Sequence, residues 1–103
     1  MFVITVGYPA SSGSRFDLDY YLQTHIPLVH QRWDSLGLKS LDLYRGTGTP
    51  DGGEAPVVML ALLTWPSRDA FEAAAKQHGE EVFGDIPNFT DMKAQVQFNE
   101  PAS

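Results

Sequence analysis

Residues Val57–Trp65 read VVMLALLTW, a nearly unbroken run of aliphatic and aromatic side chains without a charge. A half-exposed strand would alternate polar and apolar positions, so this run predicts a β-strand covered on both faces. The segment before it, Gly46–Pro56, contains four glycines and two prolines and is expected to be a surface loop. The run therefore predicts a buried central strand around which the remaining elements are arranged.

The elements on either side of this strand follow a recognisable order. A strand, a loop, a helix and a second strand precede it, and a helix and a last strand follow it. In that order they are Phe2–Tyr8, Ser11–Ser14, a helix capped by Asp17 and ending near Leu36, Lys39–Arg45, a helix capped by Ser67, and Ala94–Phe98. The order β-α-β-β-α-β is the split-βαβ pattern of ferredoxin-like folds. We therefore predict a single α+β domain over residues 1–103, a four-stranded antiparallel sheet with two helices on one face.

Both faces of the predicted sheet are apolar. In the first strand, Ile4 and Val6 alternate with Val3 and Thr5, so neither face is polar. Two helices cover only one face, and a bare apolar face would exceed the few hundred Å² that monomers usually expose. The second face is expected to pack against a second copy of the chain, giving a homodimer.

Composition and charge exclude several classes of protein. The chain has 13 acidic and 7 basic residues and a net charge of −6, which disfavours binding to nucleic acid. It has no cysteine, which excludes disulfides and thiolate metal sites. The N-terminus lacks a positively charged leader, and no stretch approaches the roughly 18 apolar residues of a membrane span. We expect a soluble, cytoplasmic protein with no membrane partner.

Two stretches resemble a known family. Phe16–Val29 reads FDLDYYLQTHIPLV, and Asp85–Asp91 reads DIPNFTD. They resemble the signature of the EthD family, part of the dimeric α/β-barrel superfamily, and that family's link into the final strand. The resemblance implies a dimeric barrel with a pocket between the sheet and the helices of each subunit. Neighbouring families include cofactor-free quinol monooxygenases and muconolactone isomerases, and more distant ones bind haem, so the family does not fix a reaction.

Titratable groups lie at the edge of the core-facing stripe of the first predicted helix. At about 100° per residue, His25 falls on this edge, with Tyr21 one turn before it and Arg32 on the same margin two turns later. Pro27 removes the hydrogen bond to the carbonyl of Gln23 and is expected to bend the helix and leave space beside His25. The predicted stripe itself comprises Leu18, Leu22, Ile26, Val29, Trp33 and Leu36.

His25 is the candidate general base or acid. Its ordinary pKa of about 6.5 suits proton transfer at neutral pH, and desolvation would lower that pKa and keep the imidazole neutral. Tyr21 is expected to hold or polarise a substrate oxygen, while Arg32, Phe83 and Phe89 are assigned to substrate binding, with the two phenylalanines at the pocket mouth. The alternative is a structural histidine, hydrogen-bonded to a backbone carbonyl where helix and sheet meet.

These residues favour a small-molecule enzyme that needs no bound metal or cofactor. His30 lies on a different helix face from His25, and no carboxylate cluster completes a metal site with His78. The expected activity is of the oxygenase type, on a hydrophobic or aromatic metabolite. An isomerase, dehydratase or decarboxylase would use the same first proton abstraction. A non-catalytic binding protein for an apolar metabolite would use the same pocket, whereas a purely structural dimerisation module would have the space beside His25 filled.

Overall fold

The computed structural model describes residues 1–11 and 14–103, so Ser12 and Gly13 of the predicted loop lie outside the described residues. It has four strands in one antiparallel sheet of order β2-β3-β1-β4, which confirms the ferredoxin-like α+β fold. The strands are β1 (Phe2–Pro9), β2 (Ser40–Arg45), β3 (Val57–Trp65) and β4 (Gln95–Asn99). The first helix, α1, is built from Leu18–Tyr20, Tyr21–His25 and Ile26–Trp33 and ends in a 3₁₀ turn, Asp34–Leu36; α2 is Arg68–Gly84, followed by a 3₁₀ turn, Ile86–Asn88.

Strand β3 lies in the interior of the sheet, as its sequence predicts. Met59, Ala61, Leu63 and Trp65 point towards the helices and are buried. The alternate residues point to the opposite face, which no helix in the described part of the chain covers; within β3 these are Val58, Leu60, Leu62 and Thr64. One chain therefore covers one face of its central strand and leaves the other apolar and open.

Helix α1 departs from the regular helix expected from the sequence. Tyr21–His25 forms a π-helical turn, in which the backbone N–H of Ile26 donates to the carbonyl of Tyr21. Pro27 follows at the start of the α-helical segment Ile26–Trp33, where a missing N–H costs little. The expected disturbance at Pro27 thus takes the form of a wider turn just before it.

The wider turn changes which residues face the core. Tyr21 and His25, predicted at the edge of the stripe, are 1% and 5% exposed and lie inside the core with Val29 and Trp33. Leu22, predicted on the core face, is 46% exposed. The stripe prediction was wrong at these positions because it assumed a constant 100° step, whereas the π turn closes its hydrogen bond five residues back and takes up about one more residue per turn.

Helix α2 packs its apolar face on the sheet beside α1. Its first turn is capped by Ser67, whose side chain accepts from the N–H of Ala70, as the sequence predicts. At the junction of the two helices, the indole N–H of Trp33 donates to the carbonyl of Ala74 at 3.1 Å. In the parts of the chain that the structure describes, no helix is both long and apolar enough to cross a bilayer.

Candidate active site

A small cavity lies between α1 and the sheet, and His25 forms part of its wall. Its volume is about 30 Å³, enough for a water molecule but not for an aromatic ring. Most of the wall is aliphatic or aromatic, and the titratable groups that line it are His25, Tyr8 and Tyr21. The space beside His25 is therefore open, and a substrate would enter only if the surrounding side chains moved apart.

His25 is held at one ring nitrogen by a carboxylate from a distant part of the chain. Its Nδ1 lies 2.9 Å from Oδ2 of Asp85, which directly follows α2. The two side chains are 6% and 12% exposed, so the pair is largely shielded from water. The sequence left open a structural histidine that is hydrogen-bonded to a backbone carbonyl. In the structure, Nδ1 contacts the side-chain carboxylate of Asp85 instead.

Asp85 is itself fixed by two further donors. The hydroxyl of Tyr20 and the side-chain amide of Asn88 donate to its Oδ1 at 2.7 and 2.8 Å. Burial raises the pKa of Asp85, but the hydrogen bonds from Asn88, Tyr20 and His25 outweigh burial and hold that pKa below its ordinary value. Asp85 is therefore an ionised acceptor, and it fixes the proton of His25 on Nδ1.

The environment of His25 keeps its imidazole neutral. Burial lowers the pKa of His25, and Asp85 only partly reverses this, so the pKa stays below 6.5. The ring is packed against Phe89, with centroids 4.7 Å apart, and is stacked with Tyr21 at 5.6 Å. With Nδ1–H donated to Asp85, Nε2 keeps a free lone pair, which is the state a general base requires.

The pKa of His25 makes a prediction about stability. Because this pKa is lower in the folded protein than in the unfolded chain, the unfolded chain binds the proton first as the pH falls through about 6.5. The free energy of unfolding should therefore decrease as the pH is lowered from about 7 to 5. The lowered pKa of Asp85 adds a further loss only near and below about pH 4.

Urea unfolding between pH 5 and 8 measures this dependence. His25→Gln should flatten the decline between pH 7 and 5, whereas His30→Gln, at a more exposed histidine of the same helix, should retain it. An unchanged slope in His25→Gln would show that burial of this imidazole does not set the acid sensitivity.

Two tyrosine hydroxyls complete the polar part of the cavity wall. Tyr8 and Tyr21 are each 1% exposed, and neither hydroxyl hydrogen-bonds to another described residue. Burial raises the pKa of both tyrosines, and the proximity of Tyr21 raises the pKa of Tyr8 further. Both are therefore neutral hydrogen-bond donors beside His25.

The other sequence-predicted residues occupy different places. Phe83 lines the cavity, while Phe89 packs behind the His25 ring and does not line it. Arg32 lies outside the cavity, on the surface, where Nε and Nη2 donate to the Glu81 carboxylate at 2.6 and 3.0 Å. The structure thus brings together His25, Tyr21 and Phe83 and places Arg32 elsewhere.

Sequence reasoning missed Asp85 and Tyr8 as site residues. Asp85 begins the DIPNFTD stretch, whose resemblance to a family motif was the available signal. Tyr8 shares the period of Ile4 and Val6 in β1, which placed it on the same sheet face but gave no indication of a cavity.

Several solved structures share this ferredoxin-like fold. SnoaB from Streptomyces nogalater, described as a cofactor-independent oxygenase, superposes with a TM-score of 0.65 at 12% identity over 99% of this chain and 92% of its own, which shows a shared fold. An ethyl tert-butyl ether D (EthD) family protein from Bacillus halodurans C-125 gives a TM-score of 0.71 at 17% identity, covering 98% of each chain.

An EthD-like protein from Ralstonia eutropha JMP134 is more similar. It is 30% identical, with a TM-score of 0.89 over 99% of this chain and 92% of its own. No protein-family model and no curated protein matches the sequence. At this identity and coverage, the chain belongs to the EthD family.

Proposed function

We propose that this protein is a small-molecule enzyme of the cofactor-independent oxygenase type, acting on a hydrophobic or aromatic metabolite with His25 as general base. The observation that supports this most strongly is the 2.9 Å contact between Nδ1 of His25 and Oδ2 of Asp85. A carboxylate at Nδ1 orients a neutral imidazole and stabilises the imidazolium that forms when Nε2 takes a proton.

The proposed first step is abstraction of a proton from an acidic C–H or O–H of the substrate by Nε2 of His25. Tyr21, with Tyr8 beside it, donates a hydrogen bond to the oxygen on which negative charge develops. The apolar wall excludes water, which strengthens these interactions. When the substrate carbon is a CH₂ group, dioxygen adds to the resulting carbanion and the peroxide takes the proton back from His25. The hydroperoxide then breaks its O–O bond and loses water together with the second hydrogen of that carbon, which leaves a carbonyl group.

An isomerase, dehydratase or decarboxylase would share the proton abstraction and differ in the fate of the carbanion. A non-catalytic binding protein would share only the apolar pocket. Proton abstraction and the fate of the carbanion are measured separately, so the alternatives are distinguishable.

The experiment uses a panel of enolisable aryl ketones and hydroquinones, beginning with 2-tetralone. Exchange of the substrate α-hydrogens in D₂O, followed by NMR, reports proton abstraction, and an oxygen electrode reports oxygenation. Exchange with oxygen uptake supports the oxygenase, and exchange without uptake supports the isomerase class. Binding without exchange across the panel would identify a binding protein and contradict the proposal.

We also propose that the working unit is a homodimer formed through the open sheet face. The middle of this face is apolar, with Val3, Leu60 and Leu62, and its outer strands are polar, with Asp42 and Gln97. An apolar centre with a polar rim is the usual anatomy of a protein interface. A two-fold axis would place the two apolar centres against each other and remove both from water.

A further inference from the structure

The two long edges of the first half of α1 are held in different ways. On one edge, hydrogen bonds join it to the segment after α2: Asp17 N–H to the Phe89 carbonyl at 2.7 Å, Tyr20 to Asp85, and His25 to Asp85. On the other edge, over β2, no hydrogen bond or ion pair links residues 18–26 to residues 40–45 of the described chain. That edge consists of side-chain packing alone.

A surface groove follows this unbonded edge. It has a volume of about 260 Å³ and is lined by Leu18 and Leu22 from α1 and by Leu43, Arg45 and Met59 from the sheet. Leu22, which the π turn places on this side of the helix, is 46% exposed. The groove is thus apolar along its length, with one charged group.

The groove and the His25 cavity occupy consecutive positions on the same elements. On α1, Ile26 of the cavity follows Leu22 of the groove by four residues. On the sheet, Leu41 and Leu63 of the cavity are paired, and the groove residues Arg45 and Met59 are paired at the far end of the same strands. Aliphatic side chains line both spaces on these elements, Leu22 and Leu43 in the groove and Ile26 and Leu41 in the cavity.

We propose that this groove is the entrance to the His25 pocket. The ligand is an elongated apolar molecule with an anionic group bound by Arg45. The inference rests on the proposed use of the pocket for a small molecule and names that molecule's class. The apolar part lies between α1 and β2 with its reactive end at His25, and the acidic group remains at the groove mouth.

The unpaired charge of Arg45 supports an anionic end, and the length of the strand supports an elongated apolar part. Arg45 makes no salt bridge with another described residue, whereas Arg32 and Arg68 are paired with Glu81 and Glu72. The chain as a whole has a net charge of −6, whereas the unpaired guanidinium of Arg45 gives the apolar groove a local positive charge. Leu41 and Arg45 are four residues apart on one strand, or about 13 Å at the usual rise per residue, a span that an extended decanoate chain covers.

The probes are decanoate and its uncharged analogue decanamide, and binding is measured by isothermal titration calorimetry. Wild-type protein should bind decanoate about 10–100-fold more tightly, the usual worth of a hydrogen bond to a charged group. Arg45→Gln should remove this preference and leave decanamide affinity unchanged. Arg68→Gln is the matched control, since Arg68 also borders a surface groove, beside Phe98, and this variant should behave as wild type.

Two further variants separate this inference from the proposed chemistry. Leu22→Glu adds a negative charge at an exposed groove position and should weaken decanoate binding at least as much as Arg45→Gln does. His25→Gln is assayed for both decanoate binding and exchange, so that the groove and the proposed chemistry are tested separately. If His25→Gln still catalyses exchange, the proposed role of His25 is contradicted, but the proposed ligand-binding groove is not. Three outcomes would contradict the proposed binding groove, whatever the exchange assay shows. They are no binding of decanoate, equal affinity for the two probes, and an unchanged preference for decanoate in Arg45→Gln.

Discussion

Replacing His25 with glutamine is expected to lower catalysed proton exchange by about 10²–10⁴-fold, the usual contribution of a general base. Glutamine retains a side-chain N–H that can donate to Asp85, so the link between α1 and the segment after α2 is preserved. It has no lone pair of suitable basicity at the position of Nε2. The loss should therefore appear in turnover, with circular dichroism and thermal unfolding at pH 8 close to those of wild type.

Two variants identify the origin of such a loss. Asp85→Asn keeps the size of the side chain but removes the charge that orients His25, and a loss of up to about 10⁴-fold is expected, as for the carboxylate behind the histidine of a serine-protease triad. His30→Gln, at the exposed histidine that pairs with Asp34, should retain full exchange. Unchanged exchange in folded His25→Gln would assign the chemistry to another group.

Replacing Leu62 with glutamate is expected to convert the dimer into a monomer. Leu62 lies in the middle of the open face, where it is paired with Thr5 of β1 and Asp42 of β2. The two-fold axis would bring two unpaired carboxylates into one apolar interface, and desolvating them should weaken association by more than about 100-fold. In the monomer the same side chain faces water, so the fold itself should be retained.

Analytical ultracentrifugation at micromolar concentration measures the change. Wild-type protein should sediment at twice the 11.4 kDa mass of the chain, and Leu62→Glu at the mass of one chain. Leu22→Glu is the matched control, since it places the same charge on an exposed leucine of the helix layer. A wild-type species of 11.4 kDa would contradict the interface proposed for the open face.

The fold was largely predictable because its signals are local. The apolar run of β3, the caps Asp17 and Ser67, and the stop at Gly37, which has a φ of 119°, each act within a few residues. Alternation along β1 also predicted which side chains share a face. These features fixed the element order and the presence of an open apolar face.

The site was less predictable because its decisive contacts are between distant residues. His25 and Asp85 are 60 positions apart, and no periodicity links them. The π turn shifted Tyr21 and His25 from the stripe edge into the core, and no residue type specifies such a turn. Arg32 was assigned to the pocket from helix geometry alone, but Glu81 on α2 holds it at the surface.

The protonation state of His25 in the free protein tests the central proposal most directly. Two-dimensional ¹H–¹⁵N NMR that detects imidazole nitrogens reports which ring nitrogen carries the proton, and a pH titration reports the pKa. We expect a neutral ring at pH 7 with the proton on Nδ1, a free Nε2, and a pKa below 6.5. A ring protonated on Nε2, or an imidazolium at pH 7, would contradict the assignment of His25 as a base.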